Sequence, residues 1–318
     1  VWQTGDRLAQ QLNQLDTRVS NASSDAVTRL QGDATEVNGL LNRIADLNKQ
    51  ILASGGNSAT DLQDARDTAI DQLSAKLSVK VISHDDGTVT VLGEGSTLVD
   101  RFSATQLTVT NSGSGVTVQD SSGVTLTVPG GSMGGLLEFT NVRVPAMRGQ
   151  LNQLAAAIVS QVNTIHRTGY TPTGTTNTDF FDPAGVTAGT IRLAAPVQAS
   201  SAAIAAGGTN HAGDGTVAQQ LADLASSAIP ALSGRTFRDY YSGVATDLGT
   251  AVQSTGADAD VQQTLVDQAD QRRSAVSGVS VDEEMVNLIA QQQAYGAAAK
   301  LVTTADQMIQ TLLNSIVP

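Results

Sequence analysis

The chain has 318 residues, a net charge of −12, no cysteine, and aromatic residues at only 3% of its composition. That balance argues against nucleic acid as a partner, because no Lys/Arg run is available to neutralise phosphates, and it disfavours an anionic membrane surface. Disulfide and thiol chemistry are excluded, no apolar run approaches the roughly 18–20 residues of a membrane span, and so few aromatics predict thin helix-on-helix packing.

The length suggests about two domains. Val1 falls inside an already helical pattern, so the expectation is a fragment or processed chain whose targeting signal, if any, would be invisible here. Proline is absent from 1–128 and from 231–317, which leaves both ends able to hold uninterrupted helices.

In the first segment the apolar positions run Leu8, Leu12, Leu15, Val19, Ala22, Ala26, Leu30, Val37, Leu40, Ile44, Leu47 and Ile51. Spacings of three and four alternate as in a heptad seam, with a stutter at Ala22–Ala26–Leu30 that relaxes supercoiling locally. The pattern stops at the glycines of "SGGNS", residues 54–58. Such a helix is about 75–80 Å long, against about 50 Å for a compact sphere of this chain, so an elongated molecule is expected.

A second helix is predicted over 59–77. The period then changes: "LSVKVISHDDGTVTVLG" (77–93) alternates around an Asp-Asp-Gly turn, and "QLTVTNSGSGVTVQDSSGVTLTV" (106–128) adds three short alternating runs between Gly/Ser turns. Residues 78–129 therefore read as a small antiparallel sheet domain. Helix returns over 132–170, kinked or divided near Pro145. Residues 170–213 are loop-rich, with one strand candidate at "TIRL" (190–193), followed by a helix near 214–228 and a long one over about 236–277.

The closing helix begins at Ser280, which forms a capping box with Glu283, while Asp282 to Glu284 place negative charge on the positive helix end. Its seam is Met285, Leu288, Gln292, Tyr295, Ala299, Val302, Asp306, Ile309, Leu313 and Ile316, flanked by Leu301, Ala305, Met308 and Leu312. The stripe is wider than a two-helix seam requires, so more than one partner surface is implied. A helix of an intramolecular bundle is the plainer alternative. Met285, Leu288, Tyr295, Val302, Ile309, Leu313 and Ile316 are the candidate residues for packing on another subunit or a chaperone.

The one catalytic pattern is "GGSMG" (130–134), which fits a nucleophile elbow with Ser132 as nucleophile and His166 or His211 as base. That fold needs a large parallel sheet, whereas the strands here are short hairpins; a strand-to-helix turn explains the same letters. His84, His166 and His211 stand far apart without metal-ligand spacing. Asp85 and Asp86 lack the spacing of a calcium loop. No catalytic, cofactor-binding or metal residue is assigned, and no enzyme is expected.

The ending "SGVSVDEEMVNLIAQQQAY" (277–295) with "AAAKLVTTADQMIQTLLNSI" (297–316) resembles the C-terminal signature of bacterial flagellar axial proteins, the rod, hook and hook-associated group. "LLNRIADLNKQI" (40–51), "MGGLLEF" (133–139), "VNTIHRTGY" (162–170) and "DFF" (179–181), in that order, are similar to the hook-associated members that join hook to filament. On that likeness the family's N-terminal region is missing ahead of Val1, and a large β insertion common after "DFF" is absent.

The resemblance implies a structural protein exported by the flagellar type III apparatus without a cleaved signal peptide, extracellular once assembled. It implies self-assembly into a ring, contact with hook protein and with a second hook-associated junction protein, and escort by an export chaperone. It implies no cofactor, no nucleic acid and no membrane insertion. A hook or distal-rod protein, another hook-associated protein and a coiled-stalk adhesin are the alternatives.

The fold class expected is α+β, mainly α: an elongated bundle of coiled-coil-like helices with a small antiparallel β domain inserted. Residues 1–77, 133–169 and 214–278 would form the helical core, 78–132 with about 170–213 a small β-rich domain, and 279–318 a C-terminal axial helix.

Overall fold

The computed structural model describes residues 1–55, 59–113, 115–277, 285–286, 288–295 and 300. The chain divides into two compact units, Val1–Ala245 and Thr246–Pro318, and the division falls within a helix.

The first unit is organised along one helix, α1 (Trp2–Ala53). Its 52 residues rise about 78 Å, uninterrupted because the segment has no proline. It ends where Gly55 takes φ +95°, a left-handed conformation that glycine adopts without a Cβ clash.

Two separate cores share α1. Leu30, Val37, Leu41 and Ile44 enter the first core together with α2 and the strands, while Ala9 and Leu12, with Leu15 and Val19 beside them, enter the second. Between them Ala22 is exposed. The heptad stutter therefore marks the place where the buried face of α1 swings from one core to the other. Leu8 and Ala22 of the expected seam face outward, whereas Ala9, Ala34, Leu41 and Ala45 are buried.

Helix α2 (Thr60–Lys76) packs on α1 through Ala69 and Leu73. Lys76 at its end reaches Asp33 at 2.7 Å and Glu36 at 2.6 Å. The expected small sheet is two antiparallel sheets that share the first core: β1 (Lys80–Ser83), β2 (Val89–Gly93), β3 (Ser96–Asp100) and β4 (Ser103–Ala104) in one, β5 (Leu107–Ser112), β6 (Gly115–Asp120) and β7 (Thr125–Leu126) in the other. The Asp-Asp-Gly turn joins β1 to β2, with Asp86 Oδ1 accepting from the Thr88 amide and hydroxyl and Gly87 at φ +82°.

A recurring device ties helix to strand. Asn48, wholly buried on α1, donates to the Val89 and Arg101 carbonyls at 2.8 and 2.6 Å and accepts from the Val89 amide at 3.1 Å. Asn38 does the same to both backbone groups of Leu107, and Asn141 to both of Val116. Each amide side chain stands in for a strand residue, satisfying backbone groups that would otherwise be buried without a partner.

Helix α3 (Gly131–Glu138) follows the turn at Gly130–Gly131, where a Cβ on Gly131 would lie 2.4 Å from the Lys76 carbonyl group. It runs through a π-helical stretch, Phe139–Arg143, into α4 (Val144–His166). The kink or break expected near Pro145 is thus a widened turn: proline lacks the amide that an α-helix needs there, and the π stretch absorbs the mismatch.

Residues 170–213 differ from expectation. They make isolated bridges, Tyr170↔Thr176, Tyr170↔Gly207 and Phe181↔Leu193, and a short helix α5 (Ala195–Ala199); "TIRL" contributes a single bridged residue. Phe180, Phe181, Ile191, Leu193 and Val197 pack in the second core with α1 and α4, not against the sheets. Asn163 on α4 repeats the asparagine device on this segment, bonding both backbone groups of Phe181 at 2.8 and 2.9 Å. A Cβ on Gly5 would come within 2.6 Å of the Phe180 ring, so α1 must present glycine there. Helix α6 (Thr216–Asp223) and a 3₁₀ turn, Pro230–Leu232, lead to α7 (Phe237–Ser277), whose Tyr240 hydroxyl bonds Gln153.

Candidate assembly surface

Ser132 stands at a junction of three helices in the first unit. Its Oγ donates to Asp33 Oδ2 at 2.6 Å, and Asp33 also holds Lys76, so serine, carboxylate and lysine close the α1–α2–α3 junction. Burial pushes the Asp33 carboxyl up, but the hydrogen bonds from Lys76 and Ser132 and the lysine charge outweigh it and hold the group below its ordinary value. No histidine approaches the serine: His84 bonds Thr90, His211 bonds Thr209, and His166 lies in the other core.

His166 has a structural task. It is wholly buried, its Nε2 accepts from the Ala205 amide at 2.9 Å, and its Nδ1 therefore carries the proton and donates to the Thr178 carbonyl at 2.7 Å. Only the neutral ring satisfies both bonds. Burial holds its pKa below the ordinary 6.5, against the opposing influences of the Thr178 bond and the Asp179 charge. Below about pH 6.5 the unfolded chain takes up a proton that the folded chain refuses, until the lower folded pKa is reached. Stability is expected to fall there by about 1.4 kcal/mol per pH unit for this one group. Urea denaturation from pH 7 to 5 checks this: His166→Gln should be less stable at pH 7 and should lose that part of the slope.

The functional residues predicted from the sequence divide into two sets. Met285, Leu288 and Tyr295 are helical and 51%, 57% and 81% exposed. Val302, Ile309, Leu313 and Ile316 lie outside the described residues, as does the capping box of Ser280 and Glu283. On the second unit's part of α7, Leu248, Val252, Val261, Leu265 and Val266 are likewise exposed. Scattered apolar residues on a surface are ordinary; successive ones along one helical stretch are not.

Sequence reading missed a second surface. The first unit has an apolar groove of about 950 Å³ between the first turns of α1, the middle of α4, α6 and the start of α7. Its floor includes Ile158, Val162 and Phe181, and one wall includes Ala205, the residue that His166 anchors. The signal was faint because residues 204–206 and 218–225 are small or short runs whose pairing with α1 depends on tertiary structure.

Comparison with known proteins places this architecture. The profile described as "Flagellar hook-associated protein FlgK helical domain" matches residues 1–181, and that of the "Flagellar basal body rod FlgEFG protein C-terminal" matches 263–315. The flagellar hook-associated protein 1 of Bacillus subtilis (strain 168) is 28% identical over 99% of this chain and 71% of its own length. That of Escherichia coli (strain K12) is 24% identical over 88% and 69%. Among solved structures, the flagellar hook junction protein FlgK from Burkholderia pseudomallei aligns with TM-score 0.50 and 29% identity over 55% of this chain, which spans 34% of that one. A helical domain of this kind followed by a rod-type ending defines a structural component of the bacterial flagellum. The chain belongs to the family of the flagellar hook-associated protein FlgK, whose helical-domain profile covers 181 of its 318 residues.

Proposed function

We propose that the chain acts at the junction between hook and filament, polymerising through its terminal helices into a ring that adapts one tube to the other. The carrying observation is the pairing of a hook-associated helical domain at 1–181 with a rod-type ending at 263–315 whose described apolar side chains are uncovered. The rod-type ending is shared across rod and hook proteins, so the helical domain is what favours the hook-associated role. In this reading Met285, Leu288, Tyr295, Val302, Ile309, Leu313 and Ile316 pack on neighbouring subunits in the assembly and on an export chaperone before it. Hook protein and a second hook-associated junction protein are the flanking partners, and export through the flagellar type III apparatus delivers the chain outside the cell.

Deletion of the gene followed by electron microscopy tests this. The expected phenotype is hooks without filaments, with monomeric flagellin shed into the medium. Normal filaments on the deletion strain would remove the junction role.

A further inference from the structure

His166 joins three stretches of the first unit that are far apart in sequence. From the end of α4 its ring donates to the Thr178 carbonyl and accepts from the Ala205 amide, with the Phe180 ring edge-on at 5.6 Å. The stretch 204–207 is also paired with Tyr170, through backbone bonds of 2.8 and 3.3 Å between Tyr170 and Gly207. The Ala206 carbonyl accepts from the Val217 and Ala218 amides, both at 3.1 Å, and so caps the first turn of α6. A Cβ on Gly169 would lie 3.0 Å from Ala205 and 3.1 Å from Val217, so the end of α4, this stretch and α6 meet without slack.

A second proton on the ring acts on its two bonds unequally. Nδ1 keeps its proton and its bond to Thr178, which the charge strengthens. Nε2 becomes a donor and then faces the Ala205 amide, another donor, across 2.9 Å. A bond lost in this way leaves two buried N–H groups without an acceptor. The charges nearby favour the Thr178 side, where the Asp179 carboxylate raises the ring's affinity for a proton and is itself held by Arg167 at 2.6 Å. The Ala205 side has no free carboxylate to receive the new proton. Between Arg192 and Asp214 the one titratable side chain is His211, which bonds Thr209, and Asp214 already accepts from Thr209 and Thr216. Around Phe180, α1 presents Gly5 while its Asp6 bonds Gln10, and Asp182 pairs with Arg192.

We infer that His166 is an acid-released latch: when its ring takes the second proton, residues 204–207 leave α4 and the cap of α6 opens with them. Residues 178–181 stay bound, through Thr178 and through the asparagine bonds of Asn163 to Phe180 and Phe181. The latch belongs to the first unit alone and does not rest on assembly between copies.

Hydrogen exchange of the full chain, read by mass spectrometry at pH 7 and pH 5 and corrected for the intrinsic rate, tests this. Peptides covering 204–218 are expected to exchange through a local opening that mild urea does not accelerate, and peptides covering 178–193 through the urea-sensitive global one. The local opening should rise severalfold at pH 5, to at most about twenty-five-fold, because a released histidine titrates near about 6.5. His166→Gln, neutral at both pH values, should abolish the rise, and His211→Gln should leave it unchanged. Asp179→Asn should move it to lower pH, which decides the matter even where His166→Gln does not fold. The same urea dependence for both sets of peptides at both pH values would overturn local release. A rise that is absent, is unmoved by Asp179→Asn or is removed by His211→Gln would overturn His166 as its cause.

Discussion

A chain carrying Val302→Asp with Ile309→Asp is expected to remain folded in its first unit and to stop assembling. A large apolar residue contributes roughly 1.5–3 kcal/mol when fully buried, so losing two in one contact weakens it by about 3–6 kcal/mol, or roughly a hundred- to ten-thousandfold. Buried carboxylates add a further penalty, because no cation of the stripe lies at seam spacing to pair with them. The cores of the first unit are built from residues between Ala9 and Tyr240, so they do not depend on either position. Sedimentation should show loss of self-association and of chaperone binding, while the unfolding transition of the first unit is unchanged. Loss of that transition would mean that the terminal segment supports folding rather than assembly.

Phe181→Ala should be the most damaging single truncation in the second core, costing about 3–5 kcal/mol. Phe181 is 2% exposed, packs edge-on against Phe180 with ring centroids 4.9 Å apart, and has its backbone held by Asn163. Those asparagine bonds keep the chain in place, so the site cannot collapse to fill the cavity. Val124→Ala, at an exposed turn between β6 and β7, is the control and should change stability by less than about 0.5 kcal/mol. Urea denaturation of both variants separates the two outcomes. A Phe181→Ala cost near that of Val124→Ala would mean that residues 170–213 are a dispensable loop.

That segment is also where sequence reading fell short. Long helices were legible because proline-free heptads leave few alternatives: α1 spans Trp2–Ala53 and α7 spans Phe237–Ser277, close to the predicted limits. The Asp-Asp-Gly hairpin was legible for the same local reason. Residues 170–213 have no period at all, and their place is fixed by long-range bonds from Asn163 and His166, which no local pattern announces. The asparagines read as polar interruptions, although Asn38, Asn48, Asn141 and Asn163 dock strands and loops onto helices. Burial in α1 was displaced by one position at Leu8/Ala9 and Leu40/Leu41 because two cores, not one partner helix, choose its buried face. The groove was not readable in the sequence, since its walls come from four elements far apart along the chain.

The most direct test of assembly through the terminal stripe is microscopy of the deletion strain making only the Val302→Asp, Ile309→Asp chain, with secretion of the variant verified in the culture medium. Bare hooks, with the exported variant and flagellin both free in the medium, are the predicted result. Filaments of normal number joined to those hooks would contradict it.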